Sequence, residues 1–231
     1  MKIFAISDLH LGLIADKPMD IFGPHWEGHP ERIRQEWTNA VSGDDIVLVA
    51  GDISWAMKPI EAKEDLAFLD GLPGKKIIIK GNHDYWWQGL KKVRDIAPAS
   101  ITPLQNTSYE IEGVGIAGTR LWIDPGLNLE KATDDDRKLF ERELSRLKNS
   151  IESISGNPEK IIVMTHFPPI SPDGIAGRAV EWVKGFDIHT WVFGHMHIDG
   201  NDYSGFNTTL GNTRFVFTSA DYIGFRPVRI L

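Results

Sequence analysis

The sequence predicts an α/β fold built on parallel strands. Three observations carry this prediction. Short apolar runs bounded by glycine and polar residues recur along the chain. Segments with helical spacing separate the first three, and a strand–helix–strand order implies parallel strands with right-handed crossovers. Five of the runs stop at Asp, Asn or His, as expected where a site forms at the carboxyl ends of strands.

Lys2 to Ile6 reads as the first strand and ends at Ser7-Asp8-Leu9-His10. Asp8 and His10 are two apart, so extended backbone points both from one face. Leu11 to Pro30 is irregular, and His25, Trp26 and His29 stand there as candidates for substrate contact or for surface packing. Glu31 to Val41 has helical spacing at Ile33, Trp37, Ala40 and Val41. Ile46 to Ala50 is a second buried strand, ending at Gly51-Asp52. Pro59 to Leu69 reads as a helix with Pro59 in its first turn.

Lys76 to Lys80 is the third strand. It stops at Gly81-Asn82-His83-Asp84, where glycine allows a sharp turn. Core packing is the expected role of Tyr85-Trp86-Trp87, with a substrate wall as the alternative. A short helix is expected over Gln88 to Ile96. Ser108 to Ile111 and Val114 to Ala117 read as a hairpin around Glu112-Gly113.

Thr133-Asp134-Asp135-Asp136 is a capping box that opens a helix running to about Ile154. Its apolar stripe is Phe140, Leu144, Leu147, Ile151 and Ile154, and its acids read as cap residues. Lys160 to Met164 is a strand ending at Thr165-His166, followed by a loop rich in Pro and Gly up to Gly177. Trp191 to Phe193 ends at Gly194-His195-Met196-His197, and β-like runs such as Thr213 to Phe217 close the chain. No repeat or linker divides it, so residues 1–231 read as a single domain.

The net charge of −7 argues against a general nucleic-acid binder, which carries a basic face. No apolar run approaches the roughly 20 residues that span a bilayer, and no signal-like segment opens the sequence. The expectation is a soluble cytoplasmic protein. With no cysteine, a metal would be held by oxygen and imidazole nitrogen. Five of the 8 histidines lie at strand ends, beside Asp8, Asp52 and Asn82. Carboxylates, imidazoles and an amide suit a pair of divalent cations, which lower the pKa of water and neutralise phosphoryl oxygens. Phosphoester hydrolysis needs that chemistry.

The motifs Asp8-Leu9-His10, Gly51-Asp52, Gly81-Asn82-His83-Asp84, His166 and Gly194-His195-Met196-His197 occur in the order found in calcineurin-like metallophosphoesterases, and the sequence resembles that family. The resemblance implies two mixed β-sheets packed face to face with helices outside. It implies that Asp8, His10 and His197 bind one metal, that Asn82, His166 and His195 bind the other, and that Asp52 bridges them. His83 would contact phosphate and act as general acid, with Asp84 orienting it. The metals would be Mn, Fe, Zn or Co, with Mn favoured. A small phosphorylated molecule or nucleotide is the expected substrate, with Trp26, Trp55, Trp86, Trp87 and Trp122 as candidates for an aromatic pocket; a guanidinium of Arg120 or Arg178 would suit phosphate, and plain solvation is the alternative reading of both. A lipid pyrophosphate or nucleic-acid hydrolase, or a non-catalytic scaffold on this fold, are the alternatives.

Overall fold

The structure, a computed structural model, describes residues 1–15, 17–127, 129–198 and 200–231. The chain forms two units, Met1–Pro103 with Thr218–Leu231, and Leu104–Phe217. Each holds one mixed sheet.

In the first unit, β1 (Ile3–Ile6), β2 (Ile46–Val49), β3 (Lys75–Ile78) and β4 (Ile101–Pro103) are parallel neighbours. The last strand of the chain, β11 (Val228–Arg229), pairs antiparallel with β1. The continuous apolar runs of β1 and β2 follow from burial on both faces. Helices α1 (His29–Ala40), α2 (Ala62–Asp70) and α3 (Leu90–Arg94) supply Ile33, Trp37, Leu66, Leu69 and Val93 to the core around Val47, Val49 and Ile78.

One expectation fails in this unit. Pro30, not Pro59, occupies the first turn of a helix. Pro59 lies in a turn ahead of α2, because the Met57 and Lys58 N–H groups both donate to Glu61 Oε2 and hold that segment outside the helix. Strand β4 escaped the sequence reading, since three residues ending in a proline carry no periodicity.

In the second unit the strands are β5 (Ser108–Ile111), β6 (Val114–Thr119), β7 (Lys160–Thr165), β8 (Ile188–Phe193), β9 (Thr209–Leu210) and β10 (Thr213–Phe217), in the order β5-β6-β7-β8-β10-β9. The edge strands β5 and β9 are antiparallel to their neighbours and the inner four are parallel. Glu112 (φ 45°) and Gly113 (φ 77°) are both left-handed, as the two-residue turn of the β5–β6 hairpin demands.

Helix α4 (Asp134–Glu152) starts with the expected capping box: Asp136 N–H donates to Thr133 Oγ1 and Thr133 N–H donates to Asp136 Oδ2. Phe140, Leu144, Leu147 and Ile151 are buried, while Ile154 lies beyond the helix end. Gly118 N–H of β6 donates to Ser150 Oγ at 2.9 Å, fixing α4 on its strand. A short helix, α5 (Arg178–Trp182), follows the loop that ends at Gly177. The architecture is therefore α/β with two mixed sheets, of five and six strands. No helix among the described residues is long and apolar enough to cross a membrane.

Replacing Thr133 with Ala removes the acceptor of an otherwise unbonded helix N–H. The expected cost is about 1 kcal/mol, read as a lower urea midpoint with an unchanged slope.

Candidate metal centre

In the first unit, the loops after β1 and β2 run side by side. Asp8 N–H donates to Gly51 O, His10 N–H to Asp52 O and Leu11 N–H to Ile53 O, at 2.9–3.0 Å. These bonds hold Asp8 (φ 55°), His10 (φ 44°) and Asp52 (φ 50°) in the left-handed region. The extended backbone expected for Asp8 and His10 is therefore not what brings them together. Such residues cost about 1–3 kcal/mol each and persist where the surroundings over-determine them.

The result is a buried cluster of donors. His10 Nε2 lies 3.8 Å from Asp52 Oδ2 and 4.0 Å from Asp8 Oδ1, and none of the three side chains is more than 3% exposed. Ligands sharing an ion lie about 3–4 Å apart, given ligand–ion distances near 2.1 Å. Ser219 Oγ donates to the other Asp8 oxygen at 2.9 Å.

Asn82 and His83 follow Gly81, whose role differs from the expected one. Its φ is outside the left-handed region, unlike that of Gly51 (φ 91°). What demands glycine is space: a Cβ there would lie 2.0 Å from Asp52 Oδ1 and 2.2 Å from Asp52 N. The same Oδ1 accepts His83 N–H at 2.8 Å.

Asp84 is fully buried. Its Oδ1 accepts from Ile53 N–H, Ser54 N–H and Trp86 Nε1–H, and its Oδ2 from Gly81 N–H, at 2.7–3.1 Å. Burial pushes this carboxyl up to about 6 and the Asp52 charge adds to that, while the N–H donors oppose it. The Ile53 and Ser54 bonds tie the Asp52 loop to the His83 loop and the Gly81 and Trp86 bonds brace the His83 loop itself, so Asp84 sets His83 through the backbone rather than through a bond to its imidazole.

Trp55 stacks on His10 with ring centres 4.9 Å apart, and lies 4.6 Å from the His83 ring. Trp86 and Trp87 belong to the core instead, and Trp26 is a core residue whose ring also meets His10 edge-on at 5.9 Å. His29 is buried with Nε2 3.2 Å from the His10 carbonyl oxygen, so it supports the loop. His25 faces the Asp221 carboxylate at 3.9 Å.

In the second unit, His166 N–H and Phe167 N–H both donate to the Arg120 carbonyl, and Gly194 N–H donates to the His166 carbonyl at 3.0 Å. These bonds bring the ends of β6, β7 and β8 together. The His166 and His195 rings are 5.1 Å apart, and Phe167 lies 3.9 Å from His195, whose backbone is left-handed (φ 76°). His197 is half-buried two residues on. His195 Nε2 meets Glu130 Oε1 at 2.5 Å, a bond that holds the Glu130 carboxyl below its usual range. Glu130 carried no sequence signal, being a lone acid in an irregular segment.

The candidate phosphate arginines are both engaged in ion pairs. Arg120 lies 3.8 Å from the buried Glu143 and over the Trp122 ring, and Arg178 pairs with Glu141. Trp122 donates its Nε1–H to Asp136, so its indole is fixed on the helix start.

The buried carboxylates of Asp8 and Asp52 and the buried imidazole of His10, in a chain without a thiolate, form a donor set that fits a divalent cation of the kind metal-dependent hydrolases use. A family model for calcineurin-like phosphoesterases matches residues 1–199, and the chain belongs to that family. The chain also shares its fold with the phosphopantetheinyl hydrolase of Mycobacterium tuberculosis, at 15% identity and a TM-score of 0.60, covering 100% of this chain and 95% of that one. A protein of unknown function from Aquifex aeolicus is similar at 14% identity and a TM-score of 0.55, covering 99% and 95%. No curated protein matches the sequence.

Two substitutions test this architecture. Gly81→Ala forces a Cβ against backbone, so it should destabilise by about 3 kcal/mol or more in urea unfolding. Asp84→Asn turns an amide N–H toward either the Gly81 N–H or the three donors at the other oxygen. It should lower stability by about 1–3 kcal/mol in the same measurement.

Proposed function

We propose that the protein is a dinuclear metal-dependent phosphoesterase, a single domain that hydrolyses a phosphomonoester or phosphodiester of a small molecule or nucleotide in the cytoplasm. The observation that carries this reading is the buried cluster of Asp8, His10 and Asp52 on left-handed backbone, in which His10 Nε2 lies within 4.0 Å of an oxygen of each carboxylate. Family membership and the ordered motifs support the remainder of the ligand set.

Asp8, His10 and His197 would hold one cation, Asn82, His166 and His195 the other, and Asp52 both. Two such cations supply hydroxide near neutral pH and neutralise charge on the phosphoryl oxygens. The chain's own part is orientation and proton transfer. The imidazole of His83 donates a proton to the leaving oxygen. Asp52 Oδ1 fixes the His83 backbone, Asp84 ties that loop to its neighbour, and the Trp55 ring packs beside both His10 and His83. An imidazole wedged in this way keeps one orientation while substrates exchange.

The expected metal is Mn, with Fe, Zn and Co also suited to the donors. The negative net charge favours a small substrate over nucleic acid. Phosphopantetheinyl hydrolysis by the M. tuberculosis neighbour adds one such substrate to those worth assaying.

Elemental analysis of the purified protein, with an assay on aryl mono- and diesters in added Mn, tests the reading. Near two metals per chain with turnover is expected, and a chelator should abolish turnover reversibly. Protein that binds no metal and stays inactive with Mn would instead be a scaffold. His83→Ala should lower kcat by about 10²–10⁴-fold while leaving metal content unchanged; loss of metal would make His83 a ligand.

A further inference from the structure

We propose that Glu130 is a positioning residue that fixes the tautomer of His195, so that His195 offers Nδ1 to a metal. The inference rests on the phosphoesterase reading, which makes His195 a ligand, and on geometry within the second unit. His195 Nε2 lies 2.5 Å from Glu130 Oε1. A carboxylate only accepts, so the shared proton sits on the imidazole side as Nε2–H. The lone pair of a neutral ring then belongs to Nδ1.

The ring has little freedom to choose otherwise. Its backbone is left-handed (φ 76°), Phe167 packs 3.9 Å from its centre at a 32° tilt, and His166 meets it edge-on at 5.1 Å. The segment carrying Glu130 is seated too: Leu129, Trp122, Phe167 and Met196 line one small cavity beside it. A carboxylate bonded to the far nitrogen of a metal-binding histidine orients the ring and raises its basicity, and removing such a partner costs 10–100-fold in metal affinity.

Glu130 is 38% exposed, so its replacement should leave the fold intact. Two readouts decide the proposal. The first is the two-bond ¹H–¹⁵N spectrum of the histidines in metal-free protein. His195 should be the Nε2–H form in the wild type and in Glu130→Gln, whose amide oxygen still accepts, and a mixture in Glu130→Ala. The second is Mn titration by calorimetry. Glu130→Ala should weaken one site by about 10–100-fold, and Glu130→Gln should recover most of the loss. An unshifted tautomer or an unchanged Mn affinity in Glu130→Ala overturns the assignment. If wild-type protein binds no Mn, it is the phosphoesterase reading that fails, and the metal-free spectrum alone then decides whether Glu130 sets the tautomer.

Discussion

Asp52 and Gly81 lie too close for any side chain between them, and the site of the first unit depends on that approach. Because Gly81 has no Cβ, the turn after β3 settles directly on the loop after β2. That contact puts His83 N–H on Asp52 Oδ1 and leaves Oδ2 facing His10. One carboxylate thus fixes the backbone of His83 with one oxygen and shares a donor cluster with the other. Buried carboxylates are costly without bonds, and Asp84 meets this with four N–H donors drawn from both loops. The loops are consequently fixed before any ligand arrives.

The second unit uses a different device for the same end. The Arg120 carbonyl accepts two N–H groups from His166 and Phe167, while the Arg120 guanidinium is held near Glu143 and over Trp122. Glu143 is buried and also bonds Thr119 and Arg146, so it anchors the end of β6 to α4. A guanidinium committed to a buried carboxylate holds its own backbone in place, and that backbone sets His166.

What the sequence made legible follows from what burial and capping write into it. Strands buried on both faces show as apolar runs, and the Thr133–Asp136 box shows as a four-residue pattern, so most strands and α4 were readable. The motifs at the strand ends were readable because they use few residue types in fixed order. Other features leave no trace in residue type. The aromatic residues look alike in sequence, yet Trp86 and Trp87 fill the core and Trp55 stacks on His10. Gly81 looks like a turn glycine, and only the position of Asp52 shows that space is the reason. Glu130 reaches His195 across 65 residues, a pairing that no local pattern announces.

The left-handed backbone at Asp8, His10, Asp52 and His195 links the two levels. Asp, Asn and His are the non-glycine residues that enter this region most readily. They are also oxygen and nitrogen donors for divalent cations. At these positions one residue type therefore answers two demands, a backbone shape and the donor atom that the proposed metal site requires. The consequence is that ligand chemistry alone does not define an acceptable substitute. Glutamate at position 52 would keep a carboxylate, but its extra methylene would carry the oxygens away from His83 N–H and into the space that Gly81 leaves for a shorter side chain. The choice of Asp at this strand end is thus dictated by the turn it must make as much as by the charge it carries.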